Sequence, residues 1–284
     1  MLFGTALEQY RLSLRQQEKS ERTIKGYLQD LKFFENWLQQ VWNGPVYLDD
    51  VTFTDVEKFL TFLKEKRSYK PASRRRIASA LKSFFRYAWK RELCRTDIAS
   101  DIEDIKYVPT EREFLSEEEA LRFIEEIDHE LVKVFTVTLL YTGMRISEAL
   151  ALTIDDVDMD TDWIHIRNGK GGKARSIPIN RKLKDKLEDY VQWRTPSKQF
   201  FATKKTGTLS SGTVQAVIRE TRERLGCKKK ITPHVFRHSF ASELVKKDAN
   251  IVSISKLLGH SNLKTTSVYT HVSQDQLIDA IARL

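Results

Sequence analysis

Residues 163–179 read WIHIRNGKGGKARSIPI, and this stretch decides the fold class. WIHIR (163–167) and ARSIPI (174–179) alternate apolar and polar residues, the period of a half-buried strand. NGKGGK between them carries glycines that permit a tight turn. The pair reads as a β-hairpin, and a third short strand is expected at 199–202. Every other patterned segment has helical spacing. The chain is therefore expected to be mainly α: an N-terminal helical bundle, then a mixed α+β domain with a small antiparallel sheet.

The N-terminal part supplies the bundle. Ser20 is placed to cap a helix in which Tyr27, Leu31, Phe34 and Leu38 follow at helical spacing, and the NGP at 43–45 ends it. Thr52 precedes Val56, Phe59, Leu60 and Leu63, with Asp55 and Glu57 near the positive helix end. Pro71 opens a further helix with Ile77, Leu81, Phe84, Phe85 and Ala88 on its apolar face. Four or five helices are expected over 1–107. Residues 108–115 fall in a polar, charged stretch with Pro109 and read as an interdomain linker. Ser116, with Glu119 three residues on, forms a capping box that opens the second domain, 116–284. Pro233, Asn250 and Ser273 mark later helix starts and Gly259 a stop.

With 284 residues the chain is long enough for two domains with real cores. No run of about 18 apolar residues occurs, so no transmembrane helix and no membrane partner is expected. The first residues lack a signal-peptide layout. The two cysteines, Cys94 and Cys227, have neither disulfide nor metal-ligand spacing, which suits a reducing, cytoplasmic setting. The net charge of +9 favours a polyanionic partner.

Several polar residues of the second domain admit both a structural and a chemical reading. A lone tyrosine such as Tyr269 is ordinarily a packed aromatic. On a helix, His234, Arg237 and His238 share one face, which is either a solvated surface or a phosphate site. Arg145, in YTGMRISEAL, could be a helix-start cation in a surface ion pair. Lys170, Lys173 and Arg175 in the hairpin could be a solvated basic loop or a mobile cation carried into a DNA groove. His234 and His238 have the i,i+4 spacing of helix-borne zinc sites. The residues between them are Val-Phe-Arg, with no glutamate beside the first histidine, and no metal is expected.

Taken together, TGMRISEALALT, GKGGKARSIPI, TPHVFRHSFAS and LLGHSNLKTTSVYTHV resemble the tyrosine recombinase (phage integrase) superfamily, most closely its Xer-type members. The resemblance is strong over roughly 115–284. Residues 1–107 fit the family's SAM-like, DNA-clamping domain by position and helix pattern. The resemblance implies that Arg145 is the first catalytic arginine and that His234 and Arg237 form the His-x-x-Arg pair. It makes His260 the later histidine and Tyr269 the nucleophile. Lys170 aligns with the catalytic lysine, with Lys173 as second choice, and Glu148 matches a supportive acidic position.

Those residue types suit phosphodiester exchange. Guanidiniums hold the charge that builds on the non-bridging oxygens, as expected of Arg145 and Arg237, and His260 adds a hydrogen bond. A phenol, with a pKa of about 10, leaves more readily than an alkyl hydroxyl, so a phosphotyrosyl bond is reversible. His234 would help remove the phenolic proton and Lys170 would protonate the departing 5′-oxygen. The resemblance implies a 3′-phosphotyrosyl intermediate, a four-way junction, no cofactor and a tetramer on two DNA sites. It also implies a tail, QDQLIDAIARL (274–284), that packs on a neighbouring protomer, and the tetramer could include a partner recombinase or respond to an activator. Arg74, Arg75, Arg76 and Lys82, on the helix after Pro71, are expected to bind DNA, together with Lys173 and Arg175. The role expected is resolution of replicon dimers. The alternatives are integration or excision of a mobile element, a type IB topoisomerase, and a catalytically silent DNA-binding module.

Overall fold

The computed structural model describes residues 1–106, 113–167 and 174–259. The chain divides into two compact units, Met1–Thr110 and Glu111–Leu284. Lys170, Lys173, His260, Tyr269, the helix start expected at Ser273 and the tail 274–284 lie outside the described residues.

The first unit holds helices α1 (Phe3–Gln16), α2 (Glu21–Trp42), α3 (Phe53–Glu65), α4 (Pro71–Lys90) and the single turn α5 (Ile98–Asp101). Ser20 caps α2 by accepting from the Thr23 amide at 3.2 Å. Asn43 ends the same helix in the left-handed region, at φ 52°. Asp55 accepts from the Thr52 amide at 2.9 Å and from its hydroxyl at 2.7 Å, opening α3. Leu31, Phe34 and Leu38 of α2 meet Ile77, Leu81, Phe84, Phe85 and Ala88 of α4 in one core. Its centre is aromatic: the Phe3 and Phe84 ring centres lie 4.9 Å apart, and those of Phe34 and Phe59 lie 5.0 Å apart.

The second unit is built around a helix that is apolar on all sides. Helix α6 (Glu117–Glu125) leads into α7 (Glu130–Thr142), in which Leu131, Val132, Val134, Phe135, Val137, Leu139 and Leu140 are all buried. The three buried hydroxyls of α7 donate one turn back: Thr136 to the Val132 carbonyl, Thr138 to that of Val134 and Thr142 to that of Thr138. Helix α8 (Ile146–Ala151) and strands β1 (Val157–Asp158), β2 (Trp163–Ile166) and β3 (Arg175–Pro178) follow. Helices α9 (Arg181–Trp193), α10 (Ser211–Arg224), α11 (Pro233–Lys246) and α12 (Ile251–Leu258) complete the described part.

The three strands form an antiparallel sheet in the order β1-β2-β3. Opposite residues share a face, so the pairs Ile164↔Ile177 and Ile166↔Arg175 all point to the same, inner side. The third strand is Val157–Asp158 and not the expected 199–202. Gln199 makes only an isolated bridge to Thr153, and the Phe200 amide donates to the Leu152 carbonyl at 2.7 Å. Phe200, Phe201 and Ala202 are buried without alternating. A short apolar run marks burial and does not distinguish strand from buried loop.

Candidate active site

The site starts where α7 stops. Gly143 takes a left-handed conformation at φ 60° and turns the chain sharply. It also leaves no room for a side chain: a Cβ there would overlap the Phe240 ring and lie 2.9 Å from Leu258 Cδ2. Two residues later Arg145 stands at the N-cap of α8, and Glu148 is the third residue of that helix. Glu148 Oε2 accepts from the Arg145 amide at 2.8 Å, while Arg145 Nη1 donates to Glu148 Oε1 at 2.6 Å. The local sequence RISE thus fixes the arginine through its own helix start.

Arg175 approaches the same carboxylate from β3. Its Nη1 donates to Glu148 Oε1 at 3.0 Å and its Nη2 to Oε2 at 2.8 Å, a two-pronged fork. The side chains of Glu148 and Arg175 are only 4% and 10% exposed. Burial alone would push the Glu148 carboxyl up. The Arg175 fork, the Arg145 amide and the Arg145 guanidinium outweigh it and hold the group at about 2, against an ordinary 4.5. Glu148 is therefore an ionised carboxylate under all ordinary conditions, shared by two guanidiniums.

Three arginines then converge on one helix end. The last carbonyls of α12 have no intrahelical partners, and Gly259 closes the helix at φ 62°. Arg175 Nε donates to the Leu257 carbonyl at 2.8 Å, Arg237 Nη2 to Leu258 at 2.7 Å and Arg145 Nη2 to Gly259 at 3.2 Å. The negative end of the helix dipole faces the three cations. Arg237, buried in α11, also donates to the Gly143 carbonyl, tying the end of α7 to the end of α12. Ser239, two residues on, donates to the Val235 carbonyl and accepts from the Leu115 amide at 2.8 Å, which anchors α11 to the start of the unit.

Arg145 and Arg237, 92 positions apart, are thus brought to consecutive carbonyls, as is Arg175. His234 lies at the exposed start of α11, after Thr232 and Pro233, while His238 is half-buried. Two guanidiniums on one carboxylate, with Arg237 on the neighbouring carbonyls, leave a positive surplus. Arg145 is 21% exposed and uses two of its five side-chain N–H donors on Glu148 and Gly259, which leaves donors for an anion. No group of three His, Cys, Asp or Glu side chains suited to a metal ion occurs among the described residues.

Arg175 departs from the expectation that it faces DNA. Its guanidinium is turned inward, because β3 alternates and Arg175 lies on the face of Ile177. The signal lies in ARSIPI itself, where Arg175, Ile177 and Ile179 are two apart. Glu148, expected to be merely supportive, is the hub of the cluster. Of the expected DNA-binding residues on α4, Arg75 and Arg76 are exposed and Arg74 is half-buried. Arg76 pairs with Asp30, which is 6% exposed, and Lys82 donates to the Ile102 carbonyl at 3.0 Å.

A family model described as the phage integrase family matches residues 113–276, and one described as the phage integrase N-terminal SAM-like domain matches 7–92. The chain belongs to the phage integrase family. This integrase-family chain is 32% identical over 288 residues to tyrosine recombinase XerA of Pyrococcus furiosus, covering 99% of the chain and 94% of the relative. It is 32% identical over 275 residues to tyrosine recombinase XerC of Bacillus licheniformis, covering 91% and 88%. Among solved structures, XerA recombinase is 28% identical, with a TM-score of 0.54 and coverage of 99% and 98%. A lambda integrase dimer bound to a COC′ core site has a TM-score of 0.80 at 21% identity, covering 97% and 98%, a likeness of fold. With Xer-type relatives of this similarity over most of its length, the chain is a tyrosine recombinase of site-specific recombination.

Proposed function

We propose that the chain cuts and rejoins duplex DNA at a specific site through Tyr269, as an Xer-type enzyme that resolves replicon dimers. Arg145 and Arg237 hold the scissile phosphate and stabilise the charge on its non-bridging oxygens, with His260 adding a hydrogen bond. The Tyr269 hydroxyl attacks phosphorus, His234 helps to take the phenolic proton, and Lys170 protonates the 5′-oxygen that leaves. A 3′-phosphotyrosyl link and a free 5′-hydroxyl result. The 5′-hydroxyl of a partner strand then displaces the tyrosine, so bond energy is conserved and strands exchange through a four-way junction. Residues 1–107 clamp the DNA, residues 108–115 link them to the catalytic domain 116–284, and four protomers, of one or two kinds, assemble on two sites through the tail helix.

The observation that carries this reading is the convergence of Arg145 and Arg237 on the end of α12, one residue before His260. The site-level roles rest on that convergence together with the motif match to the family. The test uses a library of nicked duplexes incubated with the wild-type chain and with Tyr269→Phe, without added metal. The expected result is a denaturation-resistant protein–DNA adduct with wild type alone, and sequencing the trapped DNA identifies the site. An adduct that persists in Tyr269→Phe overturns the nucleophile. Relaxation of supercoiled plasmids that lack the captured site would favour a topoisomerase.

A further inference from the structure

Arg175 is not needed to complete the phosphate-holding pair, yet its guanidinium is heavily engaged. It makes three hydrogen bonds, to both oxygens of Glu148 and to the Leu257 carbonyl. The fold also makes space for it. A Cβ on Gly259 would stand 2.7 Å from Arg175 Nη1, 3.0 Å from its Cζ and 3.2 Å from its Cδ. The side chain of Arg175 can therefore lie against the backbone at 259 only because that residue carries no Cβ.

The two partners of Arg175 and the strand that carries it belong to three segments that a recombinase must align. Glu148 holds Arg145. The end of α12 leads into His260 and, ten residues past Gly259, Tyr269. β3, which carries Arg175 itself, begins five residues after Lys170 in the sequence. Three residues before Lys170, Arg167 Nε donates to Asp156 Oδ1 at 2.6 Å, and Asp156 also accepts from the Thr153 amide at 2.9 Å. On either side of Lys170 in the sequence, Arg167 and Arg175 are thus each fastened to a carboxylate. A buried ion pair is a weak source of net stability, since desolvation offsets most of the attraction. What a fully hydrogen-bonded fork supplies is fixed geometry.

We propose that Arg175 is a positioning residue for strand cleavage, which locks Glu148, the end of α12 and strand β3 in one register and so aims Arg145 without contacting DNA itself. The proposal rests on the reading that Arg145 holds the scissile phosphate. Its action is on the rate of covalent capture and not on the affinity for DNA.

The test uses the full-length chain and the nicked duplex that wild type captures. Capture rates at saturating protein are compared for wild type, Arg145→Lys, Arg175→Lys and Arg175→Ala. Affinities are read by anisotropy in the Tyr269→Phe background. Lysine keeps the charge at 175 but not the fork, so Arg175→Lys is expected to lose about 100-fold in rate, the scale of a misplaced reacting group, with unchanged affinity. In Arg175→Ala, guanidinium chloride below denaturing concentration is expected to restore rate, and sodium chloride at equal ionic strength is not. An Arg175→Lys variant that captures DNA at the wild-type rate overturns the proposal. So does a loss of affinity equal to the loss of rate, which would make Arg175 a DNA contact. If Arg145→Lys is itself as fast as wild type, the reading of Arg145 fails and the proposal falls with it. If Arg145→Lys is slow while Arg175→Lys is not, the positioning role alone is lost. A general folding defect would lower the melting temperature of both variants and leave Arg175→Ala unresponsive to guanidinium, and that result also overturns the proposal.

Discussion

Arg145 and Arg175 share a single carboxylate: Glu148 Oε1 accepts from Arg145 Nη1 at 2.6 Å and from Arg175 Nη1 at 3.0 Å, while Oε2 takes the second prong of Arg175. One acidic side chain therefore couples the start of α8 to β3.

Glu148→Gln removes the charge from between two guanidiniums. Leaving buried cations unpaired costs about 3–5 kcal/mol when a partner is lost. The expected outcome is a fall in the urea midpoint of the second unit of that order, together with slower covalent capture on the nicked duplex. Retention of both stability and rate would show that the two arginines are held by other means.

The same carboxylate predicts an acid limb of stability. The folded-state pKa of Glu148, about 2, is depressed below the ordinary 4.5. A depressed carboxylate contributes stability that is fully present above about pH 4.5 and is lost as the pH falls toward 2. A tenfold difference in proton affinity between folded and unfolded chains corresponds to about 1.4 kcal/mol, so the contribution is on the order of 3 kcal/mol. Melting temperature followed from pH 5 to pH 2 should fall more steeply in wild type than in Glu148→Gln, and parallel curves would contradict the assignment.

Gly259 and Gly226 separate backbone strain from crowding. Both are left-handed, at φ 62° and 59°, but a Cβ at 226 meets nothing within 4 Å while one at 259 meets Arg175. Alanine at 226 is expected to cost about 1 kcal/mol from conformation alone. Alanine at 259 should cost clearly more, and the excess should shrink when Arg175 is also alanine. Equal costs for the two glycines, measured by urea unfolding, would remove crowding from the account.

On α4 the basic residues divide by their neighbours. Arg76 pairs with Asp30, whose carboxyl is pushed up by burial more than Arg76 pulls it down. Arg76→Ala strands a buried carboxylate and is therefore expected to destabilise the first unit as well as to weaken DNA binding. Arg75→Ala should cost less in melting temperature and reduce the slope of log affinity against log salt by about 0.9, the signature of one lost phosphate contact. A melting temperature that falls equally in both would place Arg75 in the packing of the bundle.

Much of this fold is legible in the sequence because its signals are local. Ser20, Thr52 and Ser116 open helices where side-chain capping predicts, and the apolar face of α4 is the one its spacing marks. The hairpin register follows from alternation. Val157–Asp158 is not legible as a strand, since two residues carry no period and their pairing with β2 is set by tertiary context. The arginines of the site can be named from motifs, but their convergence cannot. Contacts from Arg145, Arg175 and Arg237 to carbonyls at 257, 258 and 259 span up to 114 positions and end on main-chain atoms, which leave no trace in side-chain identity. Arg175 misleads for a different reason: a basic residue near a glycine-rich loop suggests solvent, whereas its strand phase turns it inward.

That grip on main-chain oxygens has a consequence for how such enzymes diverge and can be recombined. The three guanidiniums take hold of α12 through main-chain oxygens, so that grip does not depend on which side chains stand at 257 and 258. Transplants of residues 251–259 between relatives should be accepted where the glycine at 259 and the buried Ile254 and Leu258 are kept, while the sockets at 145, 175 and 237 must travel together in the recipient.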